Sequence, residues 1–74
     1  MKIPTLTPVK SSNIEAVGHG SGGLFVRFKG GGVYRYPDAS ADIHKEFLKA
    51  ESPGGFFRSH IRGTYKHFQV NPDG

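Results

Sequence analysis

Four histidines, His19, His44, His60 and His67, are the side chains best suited to metal or acid–base chemistry, and their spacing supports neither. No pair stands in an HExxH or His-x-His arrangement, and the absence of cysteine removes every Cys–His zinc pattern, disulfides and thiol catalysis. We therefore expect no metal and no cofactor, with the imidazoles at the surface or half-buried. Ser59 and His60 are adjacent only in sequence, and no acid stands where it would complete a hydrolytic triad. The glycine-rich run 18–23 lacks the lysine–serine ending of a phosphate-binding loop and precedes a strand pattern, which is the wrong context for one. The chain reads as non-enzymatic.

Binding chemistry is better represented. In Tyr34-Arg35-Tyr36 the period of a strand puts both rings on one face and the guanidinium on the other. Two roles compete for these rings. They either help build a core whose bulk must come mostly from nine aromatics, or they stack on nucleobases while nearby cations hold the backbone. Arg58, Arg62, Tyr65 and Lys66 form a second interleaved cluster, whose plainer account is a solvated helix face. Both clusters lie in acid-free stretches. Residues 16–37 carry Arg27, Lys29 and Arg35, and residues 52–72 carry Arg58, Arg62 and Lys66. The intervening segment is net acidic through Asp38, Asp42, Glu46 and Glu51. If the fold joins the two basic stretches, the chain gains a positive face for phosphate; otherwise its formal charge of +4 is a mixed, solubilising surface.

The elements that must position these residues follow from local signals. At 74 residues there is room for one domain. Residues 1–10, with Pro4 and Pro8, read as an extended, partly mobile lead-in to a single domain over residues 11–70. Ile14 to Val17 is a first strand, and the glycine-rich run after it is a flexible loop. Leu24, Val26 and Phe28 alternate with Phe25 and Arg27 as a half-buried strand requires. Gly30-Gly31-Gly32 then turns the chain into Val33–Tyr36, which Pro37 ends. Ser40 caps a helix carrying Ile43, Phe47 and Ala50, with Asp42 and Lys49 matched to its dipole. Ser52-Pro53 starts a second helix that buries Phe57 and Ile61, presents Arg58 and Arg62 together, and stops at Gly63. Residues 64–70 are either a short strand or ordered coil, and residues 71–74 a frayed end. The expected fold is α+β: a small antiparallel sheet of three strands, with a short fourth left open, packed against two helices in the order β-β-β-α-α. The first residues lack the apolar run of a signal peptide and no stretch is long enough to span a bilayer, so a cytoplasmic protein without membrane contact is expected.

These motifs resemble the KTSC domain family. The likeness rests on Ser12-x-Ile14, Val17-Gly18, Leu24-x-Val26-x-Phe28, the central Tyr34-x-Tyr36, Phe47-x-x-Ala50-x-Ser52 and Phe57-x-x-x-Ile61-Arg62-x-x-Tyr65, and it spans residues 11–68. The family is named for its occurrence at the C-terminus of some lysyl-tRNA synthetases. It also occurs as a small stand-alone protein in bacteria and their phages, and its members have been suggested to bind RNA. Two positions depart from the pattern: His19 stands where an aromatic such as Tyr is common, and Arg58 where Asn is common. With the basic and aromatic clusters, the resemblance implies a module for RNA, such as tRNA or another structured RNA. Its binding residues would be Tyr34, Arg35, Tyr36, Arg58, Arg62, Tyr65 and Lys66. The alternative is a phage- or mobile-element-encoded module that docks on a host protein and modulates it through the same basic face.

Overall fold

The alternating run from Leu24 to Phe28 becomes the middle of the sheet. In the computed structural model, which describes residues 3–70, it forms the strand Gly23–Phe28. Numbered in chain order this is β3, flanked antiparallel by β2, Ile14–Gly20, and β4, Val33–Tyr36. The β3–β4 hairpin turns where the glycine triplet predicts, with Gly31 and Gly32 at φ of 99° and 92°. Two short strands extend the sheet outward: β1, Thr7–Pro8, pairs with β2, and β5, Phe68–Val70, pairs with β4.

The expected three-stranded sheet is therefore a five-stranded one, and the element order is β-β-β-β-α-α-β. Part of the lead-in belongs to it. β1 has two residues, too few to show a period, and its Pro8 is tolerated because an edge strand has a side that needs no donor. At the other end, β5 resolves residues 64–70 into a strand at Phe68–Val70, and residues 71–74 lie outside the described residues.

The glycine-rich run is also corrected. It is not a flexible loop: β2 continues through Gly20 and β3 begins at Gly23, so only Ser21 and Gly22 turn. Its glycines serve close approach. A Cβ on Gly18 would stand 2.5 Å from the Thr5 carbonyl oxygen and 2.8 Å from Leu6 Cδ2, so the lead-in crosses the strand where there is no side chain. Gly23 holds φ 106° against the backbone of Tyr36 and Pro37, a conformation closed to other residues.

Helix α1, Ala41–Lys49, begins as expected after Ser40, with Asp42 in its first turn and Lys49 in its last; the Ser40 side chain makes no capping hydrogen bond. Helix α2 starts at Pro53, where Ser52 Oγ accepts from the Gly55 N–H at 3.2 Å. The second helix departs from expectation after its fourth residue. It is α-helical only to Phe56, then widens into a π-helical turn, Phe57–Ile61, closed by the Arg62 N–H donating to the Phe57 carbonyl at 2.8 Å. Gly63, at φ 79°, ends it. Among the described residues no helix is long and apolar enough to cross a membrane.

Both helices cover one face of the sheet. Phe47 and Ile61 descend from them onto Ile14, Val17, Leu24, Val26 and Tyr36, forming the core. Each large buried side chain is worth ~1.5–3 kcal/mol, against ~4–11 kcal/mol of net stability for a chain of this length. Phe25 is fully buried outside that core. It is directly opposite Gly18 and Arg35, so it shares the other face, over which the lead-in passes.

Candidate nucleic-acid interface

The register of the hairpin decides which rings meet. Leu24 pairs with Tyr36 and Val26 with Tyr34, so both tyrosines share the helix-side face and Phe28 is the diagonal neighbour of Tyr34. Tyr34 meets Phe28 edge-on at 5.6 Å. The π-helical turn brings Phe57 edge-on to Phe28 at 5.4 Å and to Tyr36 at 6.0 Å. The pairing of β5 with β4 carries in His67, whose ring lies 5.7 Å from both Tyr34 and Tyr36. Phe28, Tyr34, His67, Tyr36 and Phe57 thus form a closed circuit, each ring touching the next. They line a cleft of about 440 Å³, with Arg62 completing its wall.

A neighbouring hollow of about 260 Å³ shares Phe28, Phe57 and Arg62 with this cleft and adds Arg58. Both guanidinium groups are exposed, and neither hollow is lined by an acidic residue. Tyr36 is buried to 4% exposure. Burial, helped by the neighbouring Tyr34, pushes its phenol up to about 12, so it keeps its proton at neutral pH.

The structure divides the seven residues expected to bind. Tyr34, Tyr36 and Arg62 share the cleft, and Arg58 stands beside it. Lys66 is exposed and directly precedes His67. Tyr65 is packed against the core rather than lining the cleft. Arg35 lies on the opposite face of the sheet. Its Nη1 donates to the Gly22 carbonyl at 3.2 Å and its guanidinium lies 5.3 Å from the centre of the Phe68 ring. Arg27, from the same basic stretch, pairs with Glu15 at 3.7 Å, the one ion pair among the described residues. Arg27 and Arg35 of the first basic stretch therefore do not join Arg58 and Arg62 in a common patch, because strand alternation turns them away from the helices.

Three cleft residues, Phe28, Phe57 and His67, were missed as site residues by sequence reasoning. The triplet-glycine turn was the signal for Phe28, since it implies a register that sets Phe28 beside Tyr34. His67 had no such signal, since its place depends on β5 pairing with β4.

A second group sits on the helix side. The His19 Nε2 lies 3.0 Å from the Ala39 carbonyl, and the ring stacks on His44 at 6.2 Å between centroids. His44 Nε2 is buried without a partner, and burial followed by the closeness of His19 lowers its pKa from the ordinary 6.5.

The family model of the KTSC domain matches residues 10–65. The chain belongs to the KTSC family. A protein of Tsukamurella paurometabola is 33% identical over 63 residues, covering 82% of this chain and 94% of its own. The crystal structure of a KTSC domain protein from Yersinia pestis matches with a TM-score of 0.84 at 29% identity, over 90% of this chain and 97% of that one. Within this KTSC chain, the Tyr34-x-Tyr36 pair supplies two walls of the aromatic cleft. The two departures have separate consequences. His19 is turned to Ala39 and His44, whereas Arg58 adds a second exposed cation beside Arg62.

Proposed function

We propose that this KTSC chain is a small, non-enzymatic, cytoplasmic module that binds RNA, including structured RNA such as tRNA. The observation that carries the reading is that Arg62 lines the same cleft as Tyr34 and Tyr36, with Arg58 alongside. Arg58, Arg62 and Lys66 supply the phosphate contacts and Tyr34 the accessible ring. Arg35 is left out, since it is engaged on the other face. Three phosphate contacts on single-stranded RNA give a slope of log affinity against log salt near −2, at about 0.7 per contact. A salt titration of the wild type and of an Arg58→Ala/Arg62→Ala variant tests this. The variant is expected to lose most of the slope. Binding that ignores salt, or no binding to any RNA at low salt, overturns the reading. A stoichiometric protein partner that survives nuclease treatment of a lysate would favour docking on a host protein instead.

A further inference from the structure

The five-ring circuit does more than a phosphate-binding surface needs. A face that held RNA through its backbone alone would present cations on a convex or flat surface, and exposed aromatics would add little. Here the rings line an open, shallow concavity of about 440 Å³, within the ~300–1,000 Å³ range of small-ligand clefts and so sized for one nucleotide unit rather than a length of helix.

We infer that the cleft of Phe28, Tyr34, Tyr36, Phe57 and His67 takes a single unpaired nucleobase, with the phosphate beside it held by Arg62. The inference rests on the RNA-binding reading and narrows it to unpaired segments: loops, bulges or free strands. In a duplex each base has both faces covered by its neighbours, and only an unstacked base offers a face to the rings. Charge sets the choice of occupant. A ring of aromatics by itself would suit a quaternary ammonium or methylated lysine, but a fixed cation in the wall opposes any cationic guest and favours a flat group attached to an anion. The Tyr36 phenol keeps its proton, so it adds no negative charge that would repel a nucleotide.

Two of the chain's three tyrosines, Tyr34 and Tyr36, line the cleft and the chain has no tryptophan, so quenching of tyrosine fluorescence reports a base stacked there above the background of Tyr65. Titrating the full chain with a short single-stranded RNA that it binds, with the same strand made abasic at each position in turn, and with a fully paired duplex of equal length tests the inference. One abasic position is expected to weaken binding about 5–150-fold, the range for loss of one stacked base, and the duplex to bind more weakly than the strand. Tyr34→Ala is expected to remove that positional penalty while leaving the salt slope intact; Tyr34→Phe should preserve it. A matching DNA strand separates a preference for RNA from a general preference for unpaired bases. If every abasic strand binds alike with the normal salt slope, or the duplex binds as well as the strand, the inference fails and backbone-held RNA binding stands. If no RNA binds at about 50 mM salt, the functional reading itself fails and takes the inference with it.

Discussion

Two arginine–aromatic clusters lie on opposite faces of one sheet, and their surroundings differ. On the back face Arg35 is half-buried, donates to the Gly22 carbonyl and stacks over Phe68, while Phe25 fills the space beneath the lead-in. On the helix side Arg62 is exposed beside a cleft of five rings. Similar residue types therefore do different work: one cluster satisfies its own members and holds the fold, and the other is open to a ligand. A stretch of basic sequence is not a basic surface until the strand period has assigned each residue to a face.

The largest expected effect tests whether the back face is structural. Phe25→Ala removes a fully buried ring and should cost ~3–5 kcal/mol, much of the stability of so small a domain, with a correspondingly lower urea midpoint. A loss under about 1 kcal/mol would mean that the back face is not a second core. Next comes Gly18→Ala, which forces a methyl into the Thr5–Leu6 crossing and should cost ~1–3 kcal/mol. Amide exchange should quicken first in residues 3–10, while the cleft residues keep their protection. Uniform acceleration would show that the lead-in is not a separable cover.

The two arginines give the sharpest contrast. Arg35→Ala should lower stability by about 1 kcal/mol through the lost hydrogen bond and cation–π contact, with the salt slope for RNA unchanged. Arg62→Ala should leave stability within about 0.5 kcal/mol and flatten the salt slope by about 0.7. Denaturation and salt titration of both variants decide it, and an exchange of these phenotypes would invert the assignment of the faces. The smallest effect is a pH response of the helix side. His44 binds its proton less readily when folded, so the unfolded chain takes up more protons below the ordinary 6.5. Stability should be full above that pH and decline as pH falls toward the lowered folded value. Melting temperatures from about pH 7.5 to pH 5 would show the decline, and His44→Gln should reduce it.

Much of this was legible because its causes are local. The glycine turn, the alternation of Leu24, Val26 and Phe28, the start of α1 after Ser40, the cap at Ser52-Pro53, and the separation of Arg35 from its flanking tyrosines all follow from one or two turns of chain. β1 was hidden by its two-residue length and by a proline. The glycines at 18 and 23 read as flexibility because their actual neighbours, Thr5, Leu6 and the backbone of Tyr36, are distant in sequence or across a hairpin. The π-helical turn left no mark in the spacing of Phe57 and Ile61, since it differs from an α-turn only in which carbonyl each N–H finds.

The amino-acid order alone determined the family, the α+β class and the faces of the central hairpin, because side-chain period and backbone stereochemistry act between near neighbours. Tertiary structure decided that Phe57, Arg62 and His67 would join Tyr34 and Tyr36 around one cleft, and that Arg35 would be left behind the sheet. Those meetings depend on which distant segments bury apolar surface together, and that free energy exists only once the chain has closed on itself.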